Sequence, residues 1–118
     1  MILVTGASGF VGHKIMECCR NTIACPSLRD KTEDEIRRIV EESINNNSVD
    51  TIIHTAAIAD MGVCEANPED SWRSNVLLTE TLCSAAQELR AKIVCYSSDQ
   101  VYNGCDPLLG PYREDIPL

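Results

Sequence analysis

The sequence is poor in positive charge, in aromatic side chains and in long apolar runs. It has 118 residues with 10 Lys and Arg against 18 Asp and Glu, which gives a net charge of −8. We therefore expect neither a nucleic acid nor an anionic membrane as a partner. No apolar run approaches the roughly 20 residues that cross a bilayer, and no basic segment leads into an apolar one as in a secretory signal. These absences predict a cytoplasmic domain with one small core.

The seven cysteines lack the spacing of a metal site or a redox motif. None belongs to a Cys-x-x-Cys pair, and neither His13 nor His54 stands near a cysteine cluster. A zinc site needs four such ligands close together. We expect reduced thiols that serve as small apolar residues, and no metal.

The first twelve residues contain a strand, a glycine turn and the start of a helix. Ile2–Thr5 is an apolar run typical of a buried strand, and Gly6, Gly9 and Gly12 follow at three-residue spacing. In this order, the glycines permit a tight turn, a close approach of a pyrophosphate to the backbone, and close packing of the helix. The alternative is a glycine-rich turn without a ligand. The predicted cofactor contacts are Gly6, Ser8, Gly9, Phe10, Val11 and Gly12.

Three more apolar segments, separated by helical patterns, predict further strands at 22–25, 51–55 and 92–97. Thr32 with Glu35 forms the signature of a helix start. A second long helix is predicted from Asn67 onward, with an inward stripe of Trp72, Val76, Thr79, Leu82, Cys83, Ala86 and Leu89. Strands that alternate with helices indicate an α/β fold. We expect an incomplete Rossmann-type, doubly wound parallel sheet of about four strands in the order 2-1-3-4.

That strand order places the glycine turn beside the end of the third strand, where Ala56, Ala57 and Ile58 are predicted to contact the cofactor. The second strand is followed by Pro26 and Ser27, where proteins that prefer NAD often carry an acid. Arg29 is positioned to pair with a 2′-phosphate, so NADP(H) is favoured over NAD(H). The alternative is a solvated surface arginine. The neighbouring Asp30 is a candidate contact for adenine or ribose.

With its glycine turn, the chain resembles the extended short-chain dehydrogenase/reductase family, and dTDP-4-dehydrorhamnose reductases in particular. The resemblance rests on four further segments, at 50–57, 64–69, 96–104 and 111–117. It implies a catalytic hydroxyl at Ser98 and substrate-side roles for Asp99 and Asn75, and a nucleotide-linked sugar as substrate. Without a ligand, Ser98 would cap a turn, Asp99 would be a solvated carboxylate, and Asn75 would hold a neighbouring strand.

The chain departs from the family because it has no Tyr-x-x-x-Lys pair. The residues four positions after Tyr96, Tyr102 and Tyr112 are Gln100, Asp106 and Ile116. We therefore expect residues 1–118 to be the N-terminal part of an NAD(P)-binding domain, truncated, without a substrate lobe and inactive alone. An exposed edge at the fourth strand would favour self-association. The competing hypothesis is a non-catalytic, dinucleotide-binding regulatory module of the same fold, similar to the methionine adenosyltransferase regulatory subunit.

Overall fold

A computed structural model describes residues 1–98, 101–102 and 115, and contains a four-stranded parallel sheet. The strands are β1 (Ile2–Thr5), β2 (Thr22–Ala24), β3 (Thr51–His54) and β4 (Lys92–Cys95). Their order is β2-β1-β3-β4, and every pairing is parallel. The sheet confirms the predicted α/β class and strand order. The last three strands end one or two residues earlier than the apolar patterns suggest.

The helices of the described chain fill the connections between these strands. They are α1 (Phe10–Cys18), α2 (Glu33–Asn47), α3 (Met61–Ala66), α4 (Pro68–Trp72), a π-helical turn (Arg73–Leu77) and α5 (Leu78–Glu88). The predicted capping box of α2 is present, because Thr32 Oγ1 accepts from the Glu35 amide at 3.3 Å. Glu35 Oε2 in turn accepts from the Thr32 amide at 2.8 Å, so two donors of the helix start are satisfied.

The core lies between the sheet and the pair α2 and α5, which pack against each other. Leu3 and Ile52 are fully buried on this face with Val40 and Leu82 of the two helices. Val4 also is fully buried, but it points to the opposite face because strand side chains alternate. There α1 contacts β1 and β2. Helices therefore cover both faces of the sheet, and the glycine turn lies where β1 passes into α1.

The single helix predicted from Asn67 onward is interrupted by the π-helical turn. Two of the residues predicted to face the core are therefore found at the surface. Trp72 is 58% exposed and Cys83 is exposed, although both were predicted to face the core. A π turn inserts one residue into the i→i+4 ladder and rotates the residues before it relative to those after it. Single-sequence periodicity assumes a constant rotation per residue, so it misplaces Trp72.

Strand β4 forms one edge of the sheet, because among the described residues it pairs only with β3. Its Val94 is 36% exposed, and Tyr96 just beyond it is 61% exposed.

Among residues 1–98, 101–102 and 115, no helix is long and apolar enough to cross a membrane.

Candidate functional site

The glycine turn is packed against the end of β3 by contacts that only glycine allows. Gly6 has φ +68°, and a Cβ there would lie 2.7 Å from the backbone nitrogen of Ala56. A Cβ at Gly12 would collide with the carbonyl oxygen of Gly6. Both positions therefore need glycine for folding, the first for its left-handed backbone and the second for the close packing of α1.

Gly9 differs from the other two glycines, because its backbone conformation is one that any residue adopts. Its backbone is extended, at φ −76° and ψ 169°. An added Cβ would lie 3.2 Å from the Gly6 carbonyl oxygen, a tight contact that a shift of a few tenths of an ångström would relieve. Gly9 is the N-cap of α1 and makes no side-chain cap bond. The first amides of α1 therefore have no intrahelical acceptor, and no acidic residue stands in its first turn. Such a helix start can bind an anion.

The ends of β3 and β4 border a cleft of about 840 Å³, here called the strand-end cleft. It brings together six of the predicted site residues, which lie far apart in the sequence. They are Val11, Ala56, Ala57, Ile58, Asn75 and Ser98. Ser98 lies one strand away from the alanines, as the sheet order predicts. Ser8 and Phe10 lie on either side of Gly9 and are exposed, and the Phe10 side chain is 95% exposed.

A second cleft of about 700 Å³, the loop cleft, lies between the loop after β2 and the π-helical turn. Arg29 and Asp30 line it from the loop, and Arg73 lines it from the π-helical turn. Asp30 has φ +60°, a conformation that Asp tolerates better than most residues. Ile58 lines both clefts. The two clefts therefore meet at the loop after β3.

Asn75 fixes that loop with two hydrogen bonds. Its Nδ2 donates to the Ile58 carbonyl at 2.9 Å, and its Oδ1 accepts from the Ile58 amide at 2.8 Å. The amide side chain thus satisfies the polar backbone of Ile58 as a neighbouring strand would. In the absence of a ligand, Asn75 was expected to hold a neighbouring strand, and it holds the loop after β3 instead. Asp99 lies outside the described residues.

Beside this contact, His54 lies between two threonines. Its Nδ1 is 2.7 Å from Thr5 Oγ1, and its Nε2 is 3.1 Å from Thr79 Oγ1. Burial lowers the pKa of His54, because desolvation disfavours the imidazolium. No local pattern in the sequence points to these two partners. Thr5 and Thr79 lie 74 positions apart, and only the fold places them around one ring.

Burial keeps two thiols of the sheet region, those of Cys25 and Cys95, in the protonated form. Burial raises the pKa of Cys25 to about 11. Burial also raises the pKa of Cys95, and its neighbour Cys83 adds to the effect. Among the described residues, no three His, Cys, Asp or Glu side chains are grouped to hold a metal ion.

Residues 2–118 match the model of the NAD dependent epimerase/dehydratase family, and the chain belongs to that family. It is 30% identical over 96% of its length to methionine adenosyltransferase 2 subunit beta of Xenopus laevis. It is 32% identical over 99% of its length to a UDP-glucose 4-epimerase of Neisseria meningitidis. The chain spans only 36% and 41% of these two relatives.

A solved structure supports the same placement. The crystal structure of a dTDP-4-dehydrorhamnose reductase from Clostridium acetobutylicum superposes with a TM-score of 0.71 at 26% identity, over 89% of this chain and 38% of that one. The enzymes of this family depend on a nicotinamide dinucleotide, and the relatives named above include enzymes of nucleotide sugars. The parallel sheet of this chain, with its order β2-β1-β3-β4, is of the Rossmann type.

Proposed function

We propose that this chain binds a nicotinamide dinucleotide across the two clefts, with the pyrophosphate on the glycine turn. The single observation that carries the proposal is the start of α1 at Gly9, which is exposed, has no side-chain cap and has no acidic residue in its first turn. The extended backbone of Gly9 does not itself require glycine. A close approach of phosphate to the uncapped helix start does require it. The cofactor-binding set is Gly6, Ser8, Gly9, Phe10, Val11, Gly12, Ala56, Ala57 and Ile58, with Arg29 and Asp30.

The adenosine end of the dinucleotide fits the loop cleft, and the bound form is NADP(H) in preference to NAD(H). Arg29 lines that cleft beyond the end of β2, and the strand is followed by Pro26 and Ser27 rather than by an acid. A guanidinium pairs well with a phosphate dianion. Asp30 beside it offers a carboxylate to ribose or adenine.

The reaction we propose for the protein is reduction of a nucleotide-linked 4-keto sugar, as in dTDP-4-dehydrorhamnose reductases. A bound nicotinamide would supply the hydride. The Ser98 hydroxyl borders the strand-end cleft and would hold the sugar carbonyl oxygen. Asn75 and Asp99 would shape the substrate side, Asn75 through the backbone of Ile58. The family membership and the similarity to the Clostridium acetobutylicum reductase support this assignment.

A second candidate is a dinucleotide-binding regulatory module without turnover. The similarity to methionine adenosyltransferase 2 subunit beta favours it. Reading the coding sequence beyond residue 118 for such a pair in frame separates the two candidates. Its presence supports the reductase, and a complete gene without it supports the regulatory module.

Calorimetric titration of the chain with NADPH tests the dinucleotide site. We expect Gly9→Val to abolish binding, because the new side chain occupies the phosphate position while the backbone remains allowed. The matched control is Gly62→Ala on α3, where an added Cβ meets only Asp60 Oδ1 at 3.3 Å. This control should bind as the unchanged chain does. Unchanged affinity in a folded Gly9→Val variant would show that the phosphates do not lie on this turn.

A further inference from the structure

Four hydrogen-bonding groups, the His54 ring among them, form a chain with one direction. Thr79 Oγ1 donates its single proton to the carbonyl oxygen of Asn75 at 3.0 Å, so it accepts from His54 Nε2. Burial lowers the pKa of His54 and so favours the neutral ring. A neutral imidazole that donates from Nε2 accepts at Nδ1, so Thr5 Oγ1 is the donor to Nδ1. The hydrogen bond to Thr79 thus assigns the tautomer of the neutral ring.

The hydrogen-bonded chain joins three separate parts of the candidate site. It begins at Thr5, the residue before the glycine turn, and crosses the end of β3 at His54. It then reaches the helical segment of Thr79 and Asn75. From Asn75 two further hydrogen bonds fix Ile58, which lines both clefts. The loop that faces the dinucleotide is thus tied to the strand that carries the glycine turn.

We infer that His54, as a neutral ring with its proton on Nε2, is a positioning residue for the dinucleotide. It sets the spacing between the end of β1 and the π-helical turn that carries Asn75, and so holds the Ala56–Ile58 backbone against the cofactor. This inference rests on the proposed dinucleotide binding. It goes beyond that proposal because it gives a role to the His54 ring, which lies beneath the loop after β3.

The surroundings of His54 favour one charge state throughout the neutral pH range. The strand-end cleft that it borders is lined by no carboxylate and no Lys or Arg side chain in the described chain. The titratable groups that line the cleft with it are Cys64, Cys95 and Tyr96. The elements around it also carry Arg73 in the π-helical turn, Glu80, Cys83 and Glu88 on α5, and Lys92 on β4, none of which lines this cleft. Protonation of His54 would turn Nδ1 from an acceptor into a donor, and so reverse its hydrogen bond with Thr5 Oγ1.

The test uses Thr79→Val, which removes the hydroxyl at constant shape, and Thr79→Ser, which retains it. The matched control is Ser43→Ala on α2. Ser43 Oγ makes the same kind of bond, to the Ile39 carbonyl at 2.7 Å, and Ser43 lines neither cleft. Three measurements are made on each folded chain: the ¹⁵N shifts of the His54 ring, the hydrogen-exchange protection of the Ile58 amide, and the affinity for NADPH.

For Thr79→Val we expect a loss of about tenfold in both Ile58 protection and NADPH affinity, the size of one hydrogen bond. Thr79→Ser should restore both, and Ser43→Ala should change neither. In the unchanged chain, His54 should show a protonated Nε2 and an unprotonated Nδ1. Equal protection and affinity in Thr79→Val and Ser43→Ala, or a proton on Nδ1, would overturn the positioning role.

Failure of this role is distinguishable from failure of the proposed function. If the unchanged chain does not bind NADPH, the dinucleotide site is wrong, and with it the cofactor part of this inference. If it binds and the Thr79 variants bind equally well, the positioning role alone is wrong. Should Thr79→Val not fold, acid titration of the unchanged chain replaces it. Ile58 protection should then fall as the His54 ring signal titrates, and protection that is independent of that titration contradicts the role.

Discussion

The Cα of Gly6 faces the backbone nitrogen of Ala56 so closely that a Cβ on Gly6 would lie 2.7 Å from it. This contact joins the two backbone segments that build the candidate site, the turn after β1 and the loop after β3. Any side chain at position 6 would push these segments apart. The stability of the fold and the shape of the site therefore depend on the same contact.

We predict that Gly6→Ala lowers the free energy of unfolding by about 2 to 5 kcal/mol. A left-handed backbone costs a residue with a Cβ about 1–2 kcal/mol, and overpacking against backbone adds about 1–3 kcal/mol. Denaturant unfolding measures the change. Gly62→Ala should be neutral or slightly stabilising, because alanine is a better helix former than glycine. Equal stability of the two variants would contradict the packing described here.

A second prediction concerns pH. The pKa of His54 is lowered in the folded chain, so the unfolded chain binds more protons as pH falls below about 6.5. The His54 contribution to stability is present above that pH. It is lost as pH falls through the lower pKa of the folded chain. Stability should therefore decrease from pH 7.5 to 5, as measured by urea unfolding at each pH.

Replacing His54 should flatten this pH dependence. His54→Gln keeps a donor near Thr79 and cannot titrate. The control is His13→Gln, at an exposed histidine beside Glu17, which should leave the decrease in place. A decrease that persists unchanged in His54→Gln would show that another group causes it.

The third prediction concerns cofactor choice. If Arg29 holds a 2′-phosphate, the chain binds NADP⁺ more tightly than NAD⁺, and Arg29→Ala reduces that difference mainly by weakening NADP⁺. Calorimetry with both dinucleotides measures the ratio. Arg38→Ala, on α2 and outside the residues that line the loop cleft, is the control and should keep the ratio. Equal affinities in the unchanged chain would remove the basis for the NADP preference.

The fourth prediction is that residues 1–118 bind the dinucleotide but do not reduce a dTDP-4-keto sugar. A general acid contributes about 10²–10⁴-fold to such a reaction, and no tyrosine of this sequence has its lysine. Orientation of the sugar is worth about 7–11 kcal/mol more. The assay follows NADPH absorbance with the purified chain. Turnover by these residues would refute the need for the Tyr-x-x-x-Lys pair.

The fifth prediction is self-association through β4. This edge strand carries exposed Val94, and an uncovered apolar edge pairs readily with another chain. Sedimentation of the unchanged chain should show oligomers that Val94→Lys reduces. Val63→Lys introduces the same charge at another exposed valine, on α3, and should leave the oligomers unaffected. A monomeric unchanged chain would contradict the association.

The first strand, the glycine turn after it and the start of α2 were predictable because each depends on short-range information. The apolar run before Gly6 and the capping box at Thr32 are both local, and the structure has both. The π-helical turn was not predictable, because one inserted residue leaves no mark in a pattern read at constant periodicity. Trp72 was therefore assigned to the core, although it lies at the surface.

The sequence by itself determined the elements, their alternation and hence the order of the sheet, since connections of this length permit few topologies. It also indicated that Asn75 holds a neighbouring part of the fold. Only the tertiary structure decided which part that is. The ring of His54 joins Thr5 and Thr79, and Asn75 joins Ile58, because parallel strands bring distant segments together at their carboxyl ends. Hydrogen bonds of this kind depend on distance in space, and no local pattern encodes that distance.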